Sequence, residues 1–428
     1  MSEGIPVHMT RIESSRSRWV AVEALNTDHP LLEFFKCLDR IPEEDAAWPE
    51  VSAGLLVVRY AVRVLAKEQP GPGSLEEVGQ HVSKVFSRSV RDHLQGILAA
   101  AASDIQNDQV LTGRLMAYGH TLHADGYFGL AVDVFGAICN NTFDDPATRM
   151  AAMRWQAYAQ RCLGRFDEAT MTYCTLKEFA RRRGEKAAEL RAQLGESRIL
   201  MEVGNYPEAE RNLKLTYSRA RLSGEGEVLG EAANDLGNVA GARHDPAGVI
   251  RYAAIALHYI TEPRTRDRAE LNMAFAFREM EYADAAGRLA GKLAATAQDL
   301  EDRLRAQILL YELAIFAEDE AESERLRREL QQIKLPHLIE VNFHKAAAVH
   351  AAMLGDRSRA IRHLQHVIAV AGRNRQNEDV MRAEQALANV RAGEVPPFYV
   401  YRPVVRIPAG KRRAVRTVEA NLGTLCGV

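Results

Sequence analysis

The chain has 428 residues, 47% of them hydrophobic and 26% charged, with only 15 prolines and five cysteines. Its 55 Lys and Arg stand against 57 Asp and Glu, a formal net charge of −2. That balance excludes a collagen-like, disordered, disulfide-stapled or strongly basic protein, and the length suits two or three ordinary domains.

The first 18 residues hold no apolar run of the signal-peptide kind. The most apolar segments are 54–66 and 96–102. Arg59 and Arg63 interrupt the first, and neither nears the roughly 20 residues of a membrane span. Within 1–110, read as a helical N-terminal module, the pattern predicts helices over 29–38, 48–67 and 75–103. The breaker Gln69-Pro70-Gly71-Pro72-Gly73 separates the last two, and Ser74 with Glu77 forms a capping box after it. Residues 75–94 resemble a DNA-binding helix pair with one extra residue at the turn. However, Leu75, Val78, Val82, Val85, Phe86, Val90, Leu94, Ile97 and Leu98 form an unbroken stripe of helical period, which predicts one long helix instead. Arg88 and Arg91 fall short of the basic patch that a duplex needs.

From about 112 to 375 a phrase recurs: a small or apolar residue, an aromatic two on, then Ala, then a bulky apolar residue four later. It reads Gly164, Phe166, Ala169, Tyr173; Gly204, Tyr206, Ala209, Leu213; and, without the aromatic, Gly355, Ala360, Leu364. Weaker copies centre on Ala131, Gly248, Ala285 and Ala321. The anchors 131, 169, 209, 248, 285, 321 and 360 lie 36–40 residues apart. Such a period describes stacked helical hairpins, in which each hairpin buries its apolar face only against its neighbours. An amphipathic helix over 378–392 would cap the stack.

The Ala-x3-aromatic element resembles the second helix of the tetratricopeptide repeat. Gly119, Ala157, Ser197 and Ala348 take the small position twelve residues earlier. The long period is similar to that of bacterial peptide-sensing and signalling regulators. The resemblance implies an all-α, right-handed helical-hairpin solenoid over 111–393, with about seven repeats and a capping helix. It also implies a concave face lined by first helices, which holds a peptide or a partner's carboxylate. On this sequence those face positions are His120 and His123, then Arg154, Tyr158, Arg161, Arg191, Arg198, Asn234, Asn342 and Lys345. Arginine grips carboxylates in a bidentate way, so an acidic or carboxylate-bearing peptide or protein is the expected partner.

Pro396, Pro397, Pro403 and Pro408 predict an extended tail over 394–428, with three readings open: a basic segment for an acidic partner or nucleic acid, a disordered end, and, favoured by Phe398, Tyr399 and Tyr401, a segment partly docked on the solenoid. Residues 401–428 carry six cations against one acid. The end 422–428 and its carboxylate would then suit the arginine-lined groove as an internal ligand.

The cysteines are odd in number and lack C-x-x-C spacing, which predicts mostly buried, reduced thiols in a cytoplasmic protein. Cys426 is one residue short of a prenylation spacing. His120/His123 and His363/His366 have the i, i+3 spacing of a chelating pair, but no H-E-x-x-H and no adjacent Cys or carboxylate completes a site, so no metal is expected. Gly224 to Gly230 imitates a nucleotide loop but follows no strand and reads as a linker between repeats. With no cofactor and no catalytic motif, the expected function is a non-enzymatic regulator or adaptor without a membrane segment. The alternatives are a ligand-responsive transcription regulator with a DNA-binding N-terminal module, and a structural subunit of a larger complex.

Overall fold

A computed structural model describes residues 31–68, 75–103, 107–142, 145–333, 335–374, 376–396 and 409–428. Among these residues there are 21 helices and no strand. The chain divides into two compact units, 1–203 and 204–428. The Ser74 capping box, the 69–73 breaker and Phe398, Tyr399 and Tyr401 lie outside the described residues.

The first unit begins with α1 (Leu32–Arg40), α2 (Trp48–Leu65), α3 (Leu75–Ser83) and α4 (Arg88–Ala101). Residues 51–58 of α2 are all buried, because α1, α3, α4 and the next hairpin surround it. That hairpin is α5 (Asp108–Ala124) with α6 (Phe128–Asn141), followed by α7 (Pro146–Cys162), α8 (Phe166–Arg183) and α9 (Lys186–Glu202). In the second unit come α10 (Tyr206–Ser223), α11 (Gly226–Ala242), α12 (Pro246–Tyr259), α13 (Pro263–Glu279), α14 (Ala283–Thr296), α15 (Leu300–Phe316) and α16 (Glu320–Gln331). They are followed by α17 (His337–Met353), α18 (Arg357–Arg373) and α19 (Asn377–Ala392). From α5 to α19 the helices pack chiefly on their chain neighbours, the contact pattern of a helical-hairpin solenoid. The pairs α5/α7 and α7/α9, and in the second unit α11/α13, α13/α15 and α15/α17, also touch. The first helices of successive hairpins therefore form a layer of their own in each unit.

The predicted alanines make this packing work. Ala131, Ala169, Ala209, Ala285 and Ala360 are fully buried, as are Ala157, Ser197 and Ala348 at the earlier small position. Gly195 sits directly under the Tyr173 ring, where an added Cβ would come within 2.3 Å of it. Asp145, Asp245, Asp319 and Asp356 cap the helices they precede by accepting a first-turn N–H.

The turn within each hairpin needs one left-handed residue, and its N-terminal helix closes with a bond from the following N–H back to a carbonyl five residues earlier. Gly126, Gly164 and Gly355 supply that conformation cheaply. His244, Glu281 and Glu318 occupy it as non-glycines, φ +55 to +67°, and with Gly355 they recur every 37 residues. Tyr282 N–H bonds Phe277 O at 2.9 Å and Asp319 N–H bonds Ala314 O at 3.0 Å, so the turn geometry survives the strain. Glu281→Gly and Glu318→Gly are each expected to stabilise the protein by about 0.5–1 kcal/mol. A shift of the urea midpoint at unchanged slope would measure this.

Five expectations are corrected. The predicted helix 75–103 is broken at 84–87. Val85 turns into the core, and Ser87 caps α4 by accepting Val90 N–H. Ser87 N–H in turn donates to Glu50 Oε1 at 3.0 Å. In the sixth repeat Ala321 is exposed, and the buried anchor is Ser323, the fourth residue of α16. Residues 226–230 are the first turns of α11 rather than linker. Cys162 and Cys174 are exposed, while Cys139 and Cys426 are buried.

The fifth correction concerns the tail, which is helical where it is described: α20 (Ala409–Ala420) and α21 (Leu422–Cys426) follow the last proline. It is docked, but on the second unit's own core and not among the arginines at 154–198. Val415, Leu422 and Cys426 bury themselves with residues of α12, α13 and α14. Lys292 Nζ donates to Cys426 O at 2.6 Å, Arg266 Nη2 donates to Leu425 O at 3.1 Å, and Lys411 pairs with Asp245 at 2.9 Å. No described helix is long and apolar enough to cross a membrane.

Candidate functional site

The first helices of the first unit gather the aromatic and cationic residues that their sequence positions suggest. His120 and His123 stand one turn apart on α5, and α7 lays Trp155 and Tyr158 against them. His120 meets Trp155 edge-on at 4.4 Å between centroids, and His123 lies 4.6 Å from Tyr158. Trp155 and Tyr158 are themselves 5.5 Å apart. Arginines flank this cluster. The Arg154 guanidinium lies 5.7 Å from the Trp155 ring centroid, and that of Arg161 lies 4.8 Å from the Tyr158 centroid, both within cation–π range. Arg161 also pairs with Glu202 at the end of α9, so the patch is less basic than its arginine count suggests.

Arg198 joins from α9. Burial pushes the Tyr173 phenol up, and Arg161, Arg198 and Arg154 each pull it back. Burial, then Arg154, lowers the His120 pKa; burial, His120 and Arg161 lower that of His123. Both imidazoles therefore favour the neutral, stacking form. Arg154, Trp155, Tyr158, Arg161, Arg191 and Arg198 are all partly exposed. Trp155, the centre of the cluster, carries no signal in the repeat phrase and was not expected. Its one available clue is its position next to Arg154.

The remaining expected positions lie in the second unit. Asn234 is partly exposed on α11, and Asn342 and Lys345 are partly exposed on α17. Lys345 is engaged by Asp379 of α19. Helices α13 and α15 intervene between Asn234 and the other two.

A second cluster lies between α17 and α18, where the hairpin brings His363 and His366 onto Glu340 and His344. His366 Nε2 and Glu340 Oε1 are 2.7 Å apart, and His344 Nδ1 faces His363 Nδ1 at 2.8 Å. Burial and the two neighbouring imidazoles push His344 down to about 3. Burial and Arg359, Arg327 and Arg362 push His363 down to about 4. The carboxylate missing from the sequence neighbourhood of His363 and His366 is thus supplied by the preceding helix.

No protein-family model and no curated protein matches this chain.

Proposed function

We propose that the protein is a non-enzymatic, tetratricopeptide-type binding protein. In this reading it is a cytoplasmic regulator or adaptor that holds a peptide or protein segment against the first-helix layer of its first unit. The supporting observation is the half-exposed patch of His120, His123, Trp155 and Tyr158 flanked by Arg154, Arg161 and Arg198. Aromatic faces beside guanidinium groups suit a segment that offers apolar side chains and a carboxylate, the pairing common in binding hot spots.

The test is partner capture from the native cell with wild type and with Arg154→Ala/Arg198→Ala, followed by titration of recovered peptides. Losing two charge-assisted contacts is expected to weaken binding about a hundredfold or more. Equal recovery by both proteins would remove the proposal.

One observation favours a second reading, nucleic-acid binding by the N-terminal module. The 84–87 turn separates α3 from α4, and Arg88, Ser89, Asp92 and Gln95 are exposed on α4. Affinity for duplex DNA that falls steeply with salt and is lost in Arg88→Ala/Arg91→Ala would favour it over the first reading.

A further inference from the structure

Glu340 and His344 lie at i, i+4 on α17, and His363 and His366 at i, i+3 on α18. Both spacings put their side chains on one face of a helix. The hairpin turns the two faces together, and the ligand atoms offered by Glu340, His344 and His366 all lie within 4.8 Å of one another. The rings of His344 and His366 are 4.1 Å apart. We propose that Glu340, His344 and His366 form a binding site for a divalent transition metal ion of the zinc class, with His363 as the group that orients His344.

The geometry needs little change to accept an ion. Ligand atoms about 2.0–2.1 Å from a tetrahedral zinc stand roughly 3.3 Å from each other. No pair need close by more than about 1.5 Å, and the His366–Glu340 pair, at 2.7 Å, must open by several tenths of an ångström. Both side chains of that pair are partly exposed, at 41% and 31%, so rotamer shifts suffice and an ion can enter from solvent. Without metal, the proton between His366 Nε2 and Glu340 Oε1 occupies the place of the cation. An ion at His366 Nε2 would take that place, with the neutral ring carrying its single proton on Nδ1 instead.

The contact with His363 fixes the other ligand. Two Nδ1 atoms 2.8 Å apart require one N–H and one lone pair. With the proton on His344 Nδ1, the hydrogen bond runs to His363 Nδ1, and His344 Nε2 keeps its lone pair for an ion. This is the arrangement in which a metal-bound histidine uses its second nitrogen to hold its ring in place. Two imidazoles and one carboxylate select zinc, cobalt, nickel or copper over magnesium and calcium, which prefer oxygen ligands. Three protein ligands leave the fourth position for water or for a partner's side chain. Arg327, Arg359 and Arg362 lie near His363 and oppose a cation, so the single carboxylate of Glu340 is needed to hold it.

The test uses the full chain, stripped with chelator and then titrated with Zn²⁺ against a chromophoric competitor and with Co²⁺ by visible absorption. One equivalent of Zn²⁺ and a Co²⁺ ligand-field band are expected in the wild type. Both should be lost in His344→Gln/His366→Gln and kept in His120→Gln/His123→Gln. His363→Gln should weaken binding by about 10–100-fold without abolishing it. Glu340→Gln keeps a hydrogen-bond acceptor for His366 and should lose the ion with helicity unchanged, which separates ligation from folding. Failure of the wild type to take up Zn²⁺, or equal uptake by the His344/His366 double variant, would overturn the proposal.

Discussion

Lys292→Met is expected to destabilise the second unit by about 3–5 kcal/mol and to release the C-terminal helices. Glu270 is 1% exposed, and Lys292 donates to both of its carboxylate oxygens, at 2.8 and 2.7 Å. The third donor of the same ammonium reaches Cys426 O. Burial raises the Glu270 pKa, and Lys292 is the largest influence lowering it. Methionine keeps the length and apolar volume of the lysine stem but leaves that carboxyl to ionise in an apolar site, or to fold protonated. It also strips a donor from the Cys426 carbonyl of α21, whose carbonyls lie at a helix end and need donors. Adding Glu270→Gln to Lys292→Met is expected to recover much of the loss, because the buried charge then disappears with its partner. A double-mutant cycle in urea would show this as strong coupling, whereas independent effects would simply add. The tail gives a second readout: protease cleavage near 409 should accelerate in the single variant before global unfolding.

That cycle also separates two roles for the basic tail. Its apolar side and its carbonyls are committed to α12, α13 and α14. Its lysine and arginines at 411–416 are exposed, with Lys411 alone shown paired, to Asp245. A tail that served only as a loose electrostatic lure would tolerate loss of its carbonyl anchors without cost to the fold. One that is part of the core would not.

The hairpin architecture was legible because packing forces a small residue to recur where two helices approach, and Ala131, Ala169, Ala209 and Ala360 mark that place in the sequence. The sixth repeat misled because alanine marks the place only by habit. The real reference is the turn, and there Glu318 adopts the left-handed conformation that glycine signals elsewhere. The break at 84–87 was hidden for a geometrical reason. Four residues of turn advance the pattern by nearly the 3.6 residues of one helical turn, so the stripe from Val78 to Leu98 keeps its phase across it. The tail's prolines end at Pro408, and the twelve residues of α20 contain none. At the patch, spacing alone put Arg154, Tyr158 and Arg161 on one face, but the part played by Trp155 depends on how α5 and α7 meet. The cluster at Glu340 and His366 was invisible for the same reason: its two halves are joined only by the register of a hairpin.

Asp133→Asn is expected to raise stability at pH 7–8 and to flatten the pH dependence below it. Asp133 projects from α6 and accepts Phe34 N–H at 2.9 Å, which caps the start of α1, where Leu31 offers no side-chain cap. It is 5% exposed, and burial pushes its carboxyl up to about 8; neighbouring Glu33 adds to this, while the Phe34 N–H and Arg165 oppose it. The folded protein therefore holds a proton on Asp133 that the unfolded chain, near its ordinary value of 3.8, has given up. Between those two values the folded state binds more protons, so stability falls as pH rises from about 4 to about 8. At pH 7 the cost is up to about 4 kcal/mol at 1.36 kcal/mol per pH unit. Asparagine keeps an oxygen for Phe34 N–H and cannot ionise. Its urea midpoint should therefore exceed that of the wild type at pH 8 and converge with it near pH 4, where both side chains are neutral when folded. Parallel curves for the two proteins across that range would show that Asp133 is ionised in the folded state and that α1 is capped by a carboxylate.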